Sequence, residues 1–357
     1  MSLRWLLSPG GPADAGTRSF PEYALAQARL FDGLVLWDSW PLLHRDGSLF
    51  LGERAQQHWF ALAAPRNQDP DLRHAEARIH HLVRTASGFE MVGALFPDHF
   101  TPGSREWSGS AVIDGATVTM NFTAAGRRGD AEPSAEQRLF AASATMRDGR
   151  LGPWERCREL LSADGERYRV AGPGPAIPGR VKGFRDPELF RDEGARDWML
   201  FTGSSAAIDA DHDGVIGLAW FEDGRFLQCV PLVDGSGITR EMERPHIRLF
   251  DERLYLFWSV QSGMFGPACS GWPTGLYGAT ATGMQGPWSL LNGDGLVAAN
   301  PSAQPHQAYS WLVLPDGEIT SFADRFVVGG REVFVGGFAP FTRLTVNGDM
   351  AWVSSAS

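Results

Sequence analysis

Three acidic residues stand in segments whose composition suits chemistry on a sugar. Asp38 ends the apolar run Leu34-Val35-Leu36, held between Trp37 and Trp40, and Pro41 follows. Asp186 lies in Gly183-Phe184-Arg185-Asp186-Pro187, and Glu243 in Glu241-Met242-Glu243-Arg244-Pro245-His246. Indole rings pack on the C–H faces of sugars, and a carboxylate beside them can attack or stabilise an anomeric carbon. Cleavage with retention needs two carboxyl groups about 5–5.5 Å apart, one nucleophile and one acid/base. A third acid that grips sugar hydroxyls adds hydrogen bonds that strengthen in the transition state. On a strand, positions i and i+2 face one side, so Glu241 and Glu243 are expected to share a pocket. Their proximity raises the pKa of one member, which supplies a proton at neutral pH. Each Arg–acid pair taken alone reads as a structural ion pair. Three acids, each in a motif with Pro or Trp, favour a site.

These motifs sit on short strands. Apolar or alternating runs recur at Ser110–Ile113, Thr117–Phe122, Trp198–Thr202, Arg253–Val260, Trp311–Leu314 and Val333–Phe338. Between the runs stand Asp114-Gly115, Asp148-Gly149, Asp164-Gly165, Asp223-Gly224, Asp316-Gly317 and Asn347-Gly348, which are hairpin turn signals. Helix is expected only at Pro21–Leu30 and at Glu53–Phe60. The fold class is all-β, and the length suits a propeller or a large sandwich rather than a small barrel. No repeated motif counts the blades. The expected organisation is a lead-in over residues 1–33 with a short helix, then one catalytic domain over 34–357. The Pro/Gly-rich stretch Ala171–Lys182 reads as a rim loop.

The 357 residues carry a net charge of −10, which argues against nucleic acid and anionic membranes as partners. No apolar run approaches the roughly 20 residues of a membrane span. Cys157, Cys229 and Cys269 are odd in number and widely spaced, so they read as free thiols of a reducing compartment. The expected location is cytoplasmic, since Met1–Leu7 is too short for a secretory signal; a secreted form would need a leader ahead of this chain. His44, His58, His74 and His80-His81 lack zinc-site spacing, and no cofactor is expected. His246 reads equally as a contact of the acid/base region or as a packed structural side chain.

The motifs resemble glycoside hydrolase family 68, the levansucrase, inulosucrase and β-fructofuranosidase family. The matching segments are Trp37-Asp38-Ser39-Trp40-Pro41, Glu106-Trp107-Ser108-Gly109-Ser110-Ala111, Phe184–Pro187, Glu241–His246, Gly286-Pro287-Trp288, Ala308-Tyr309-Ser310, Thr320-Ser321-Phe322 and Gly337–Pro340. They occur in the family's order across nearly the whole chain. The resemblance implies a five-bladed β-propeller with a funnel-shaped central pocket. It implies sucrose as donor and water or sugars as fructosyl acceptors. Asp38 would then be the nucleophile, Asp186 the transition-state stabiliser and Glu243 the general acid/base. Trp37, Trp107 and Ser108 would line the fructosyl site; Arg185, Glu241, Arg244 and Tyr309 would form the adjoining glucosyl/acceptor site.

Three positions depart from the family pattern. Gln261 stands where Arg or His helps to position acceptors, Thr202 where Glu is usual, and Trp311 where His is common. Together they suggest an altered acceptor side, with hydrolysis and short transfer products ahead of long polymer. Some members bind calcium through an Asp just before Glu-x-Glu; here Arg240 stands there, so no metal is expected. The stretch Asp209-Ala210-Asp211-His212-Asp213-Gly214 opens like a calcium loop, but Trp220 occupies the position of the bidentate Glu, so it reads as a polar turn. The competing readings are a propeller glycosidase acting on another furanoside and a sugar-binding propeller without catalysis.

Overall fold

The computed structural model describes residues 2–9, 11, 12, 14, 16–130, 134–172, 181–208 and 210–355. Most of the rim loop Ala171–Lys182 therefore falls outside the described residues, as does Asp209. Five antiparallel meanders account for the main sheets. Blade I comprises Leu34–His44, Gln57–Pro65, Arg78–Thr85 and Gly88–Ala94; blade II comprises Arg105–Asp114, Thr117–Ala125, Gln137–Arg147 and Glu155–Ser162. Blade III begins with Phe184–Arg191, Asp197–Ser204 and Gly214–Glu222, blade IV with Glu243–Phe250, Arg253–Val260 and Gly275–Ala281. Blade V comprises Ala308–Val313, Glu318–Ala323, Thr342–Asn347 and Met350–Ser355. The first strand of each blade touches the first strands of its two neighbours, and blade V closes onto blade I. This is a five-bladed propeller with the motif strands innermost.

Packing between blades explains the sequence pattern. The second strand of blade I carries Trp59-Phe60-Ala61-Leu62-Ala63-Ala64, and all six are buried, because a mid-blade strand is covered on both faces. The helix expected at Glu53–Phe60 is thus only a 3₁₀ turn at Glu53–Ala55 followed by this strand. The helix expected at Pro21–Leu30 is a 3₁₀ turn at Leu25–Gln27 with no buried residue. Without an apolar face to pack, a short helix has nothing to hold it. The lead-in is strapped onto the blades: Leu3–Arg4 pairs with Val233–Asp234, and Trp5 is fully buried, with ring centroids 5.2 Å from both Trp258 and Tyr277.

Turn chemistry follows the expected dipeptides. Asp148-Gly149 and Asp223-Gly224 have positive φ at both residues and close two-residue hairpins, as type I′ turns require. Asp251-Glu252 makes the same turn without a glycine.

Candidate active site

All five innermost strands break register at one level. The breaks fall at Asp38, Ser108, Asp186-Pro187, Arg244-Pro245 and Ser310-Trp311. Asp38, Asp186, Arg244 and Ser310 carry positive φ there, between 42° and 61°. A bulge turns a side chain out of the sheet's alternation, so successive blades can present polar groups toward one axis. The left-handed backbone costs about 1–3 kcal/mol per residue and is held by the surrounding sheets.

Those groups converge. The Ser108 hydroxyl lies 2.6 Å from Asp186 and 3.2 Å from Asp38. It has one proton and can donate to only one carboxylate at a time. Thr202 Oγ1 lies 2.8 Å from the other Asp186 oxygen. The backbone N–H of Asp186 donates to Thr123 at 3.0 Å, fixing the bulge from blade II. Arg185 Nη2 reaches Glu243 at 2.6 Å and Glu241 at 3.0 Å. Tyr309 donates its hydroxyl to Glu243. Trp37, Asp38, Trp107, Ser108, Arg185, Asp186, Glu241, Glu243, Gln261 and Tyr309 all border one cavity of about 560 Å³.

Four carboxyl groups face two guanidiniums here, so some proton retention is expected. Burial pushes Asp38 up to about 6, with the charges of Asp186 and Glu243 adding to it; Arg244 and a hydrogen bond from Ser310 oppose the rise. Burial and the Glu243 charge push Glu241 up to about 8, although Arg185 opposes them. Glu243 lies below its ordinary range. Burial works against this, but Arg185, Tyr309 and the Glu241 proton all donate to it. The raised member of the pair in the free site is thus Glu241, hydrogen-bonded to Glu243.

Arg244 is placed differently from the sequence expectation. It does not border the cavity; its guanidinium runs behind the floor, donating to the Ser39 carbonyl at 2.8 Å and to Ser310 at 3.3 Å. Its own bulge, at Arg244-Pro245, directs the side chain toward Ser39 of blade I and Ser310 of blade V. Two of the three departures also lie off the acceptor side. Thr202 is fully buried against Asp186, and Trp311 is buried and stacked on Phe20 at 4.8 Å. Of the three, only Gln261 borders the cavity. Ser310, Thr202 and Thr123 are supporting groups that the sequence did not single out as site residues. A signal for Ser310 existed, since Tyr309-Ser310 repeats the aromatic–polar pairs Trp37-Asp38 and Trp107-Ser108. His246 is structural: Nδ1–H donates to the Arg244 carbonyl and Nε2 accepts the Val313 N–H, both at 2.9 Å.

The calcium-like loop already holds cations. The buried Asp213 carboxylate meets Lys182 at 2.9 Å and Arg169 at 3.0 Å. The Lys182 ammonium also donates to the Ala210 and Asp211 carbonyls at 3.3 Å, and Arg240 lies 3.8 Å from Asp211. An ammonium among a carboxylate and two carbonyls takes the place that calcium would need, so the described residues of the loop do not fit the metal. EDTA is expected to leave the melting temperature unchanged. Lys182→Met should cost about 1–3 kcal/mol by leaving Asp213 short of a donor. A fall in melting temperature on chelation, reversed by calcium, would contradict this.

A propeller that gathers four carboxyl groups and two indoles in one central cavity defines a carbohydrate-active enzyme of the glycosidase class. Residues 12–219 and 212–357 match the levansucrase/invertase family, glycoside hydrolase family 68, and the chain belongs to that family. It is 27% identical to a levansucrase of Erwinia amylovora over 95% of this chain and 91% of the relative. A levansucrase of Zymomonas mobilis is 29% identical over 90% of this chain and 83% of its own. The solved inulosucrase of Halalkalicoccus jeotgali, bound to kestose, superposes with TM-score 0.82 at 28% identity, covering 99% of this chain and 96% of that one.

Proposed function

We propose that the protein transfers the fructosyl unit of sucrose, with retention, to water and to short sugar acceptors. Asp38 attacks the anomeric C2 of the fructosyl unit as Glu243 gives a proton to the departing glucosyl oxygen. Glu243 then takes a proton from water or an acceptor hydroxyl, which attacks C2 and releases Asp38. Asp186, fixed by Ser108, Thr202 and Thr123, holds fructosyl hydroxyls as positive charge develops. Because the pair's proton starts on Glu241, it crosses the Glu241–Glu243 hydrogen bond before the first transfer. The observation that carries the reading is the meeting of Asp38, Asp186 and Glu243 in one cavity beside Trp37 and Trp107. The lean toward hydrolysis rests on Gln261, which is neutral and shorter than the arginine common at that place.

The test is to incubate the protein with sucrose and measure free glucose and free fructose separately. Equal amounts mean hydrolysis, and a fructose deficit measures transfer. High-molecular-weight polymer as the main product would overturn the hydrolytic lean, and absence of glucose would remove sucrose as donor. The pH dependence has a defined shape. Attack needs Asp38 charged, so kcat/KM falls below about 6; the pair must keep one proton, so it falls again above about 8. A flat profile between about pH 5 and about pH 9 would contradict these assignments.

A further inference from the structure

Of the five breaks in the inner strands, two carry side chains that stay out of the cavity, Arg244 and Ser310. Both residues are buried, with 5% and 2% of their surface exposed, and both hold positive φ. Neither side chain meets a sugar in the cavity, so its effect on the reaction passes through the groups it touches. Those groups belong to the strand of the nucleophile. Arg244 Nη2 donates at 2.8 Å to the carbonyl of Ser39, the residue after Asp38. Nη1 lies 3.3 Å from both the carbonyl and the hydroxyl oxygen of Ser310. The guanidinium sits 5.9 Å from the Trp40 ring centroid. The Ser310 hydroxyl is hydrogen-bonded in turn to Asp38.

The direction of these bonds follows from the protons available. A guanidinium has donors only, so toward Arg244 the Ser310 oxygen can only accept. The single hydroxyl proton of Ser310 is therefore left for Asp38, and a charged carboxylate is the stronger acceptor. Ser108 lacks this constraint. Its proton faces two carboxylates, and the Asp186 oxygen is the nearer, at 2.6 Å against 3.2 Å for Asp38. The dedicated donor to Asp38 is thus Ser310, from blade V. Among the charged groups, Asp186 of blade III and Glu243 of blade IV disfavour the Asp38 charge, and Arg244 favours it. Arg185 and Glu241 border the same cavity and pair with Glu243 or each other. On blade I, Arg73 and His74 lie against Trp37, and burial with the nearby arginine charges lowers His74 to about 3, leaving it neutral. A donor fixed toward the charged form favours that form. A hydroxyl already aimed needs no reorganisation as charge leaves Asp38 and returns.

We propose that Arg244 and Ser310 form a one-way hydrogen-bond chain that positions the nucleophile: Arg244 locks the Ser310 hydroxyl toward Asp38, which holds the carboxylate charged and aimed. Both are positioning residues that act from behind the cavity floor. This rests on the fructosyl-transfer reading, in which Asp38 attacks the anomeric carbon. Each half of the reaction uses the chain. Before attack it favours the charged form that attack requires. On release, as the bond from Asp38 to C2 breaks, the electron pair returns to an Asp38 oxygen that already has a donor beside it.

The test is the pH profile of kcat/KM for sucrose in Ser310→Gly, which suits the positive φ, and in Ser310→Ala. Loss of the hydroxyl should raise the acid limb, set by Asp38 at about 6, by about one unit, the scale of one hydrogen bond to a charged group. Sucrose cleavage should then fall about tenfold at about pH 5 and less than about twofold at about pH 7.5. Arg244→Lys keeps the charge but not the fork that meets Ser39 and Ser310, and should move the limb the same way. Should Ser310→Gly not fold, as judged by circular dichroism, Ser310→Ala carries the same comparison. A fall by one factor at every pH would overturn the chain, because a side chain that only packs changes the amount of working enzyme and not its titration. An unmoved limb, whether the hydroxyl or the guanidinium is replaced, would overturn it as well. An Asp38→Asn protein that still cleaves sucrose would instead remove the nucleophile, and with it the fructosyl-transfer reading.

Discussion

Asp38→Asn is expected to lower glucose release from sucrose by roughly 10⁴-fold or more, the scale seen when a covalent nucleophile is removed. Asparagine is the informative replacement, because position 38 sits at φ 42°, a region that asparagine adopts at lower cost than alanine. The amide can still accept the Ser108 proton, so the bulge and the neighbouring Asp186 keep their geometry. Stability should move the other way. The folded-state pKa of Asp38 is raised to about 6 from an ordinary 3.8. A carboxyl raised in this way favours the folded state below its unfolded pKa, and that contribution is lost as pH climbs through the folded value. At pH 7.5 the wild-type chain therefore bears the cost of a buried charge that the asparagine lacks. The variant should melt at a higher temperature while being nearly inactive, a trade of stability for chemistry. Activity within tenfold of wild type would remove Asp38 as nucleophile. Inactivity with a lowered melting temperature would mean that the substitution had damaged the fold instead.

How much of this could be read from residue order differs by feature. The strand-and-turn character was legible, because Asp-Gly and Asn-Gly dipeptides and apolar runs carry local physics. The turn at Asp251-Glu252 was not, since no glycine marks its positive φ. The blade count was hidden because the repeat is one of backbone geometry. Asp38, Ser108, Asp186, Arg244 and Ser310 occupy equivalent breaks in the five inner strands, yet they include three residue types. Every site residue named from the sequence borders the cavity except Arg244. A motif says that Arg244 matters near Glu243 but not on which side of the bulge its guanidinium lies. Thr202 and Trp311 misled for a related reason: a departure from a family pattern points to a position, and only packing shows that both are buried away from the acceptor side.

Glu243→Gln is expected to reduce sucrose cleavage by about 10²–10⁴-fold, the usual scale for a lost general acid/base. Glutamine keeps the size of the side chain and can still accept from Arg185, whose Nη2 lies 2.6 Å from Glu243 in the wild type, but it cannot release or take up the proton that the reaction needs. Two further measurements separate this from simple disruption. A fructosyl donor whose leaving group departs without protonation should restore the first half-reaction, because that step then needs only Asp38 and Asp186. An anionic nucleophile such as azide, which needs no base, should restore the second. The pH profile should change as well. Without the Glu243 charge beside it, Glu241 loses one of the influences that raise its pKa to about 8. The descent above that pH reflects a proton held for Glu243 and should disappear, while the fall below about 6 set by Asp38 should remain. A variant that loses activity equally with every donor, gains nothing from azide and keeps both limbs would show that Glu243 positions Arg185 and Tyr309 rather than moving the proton.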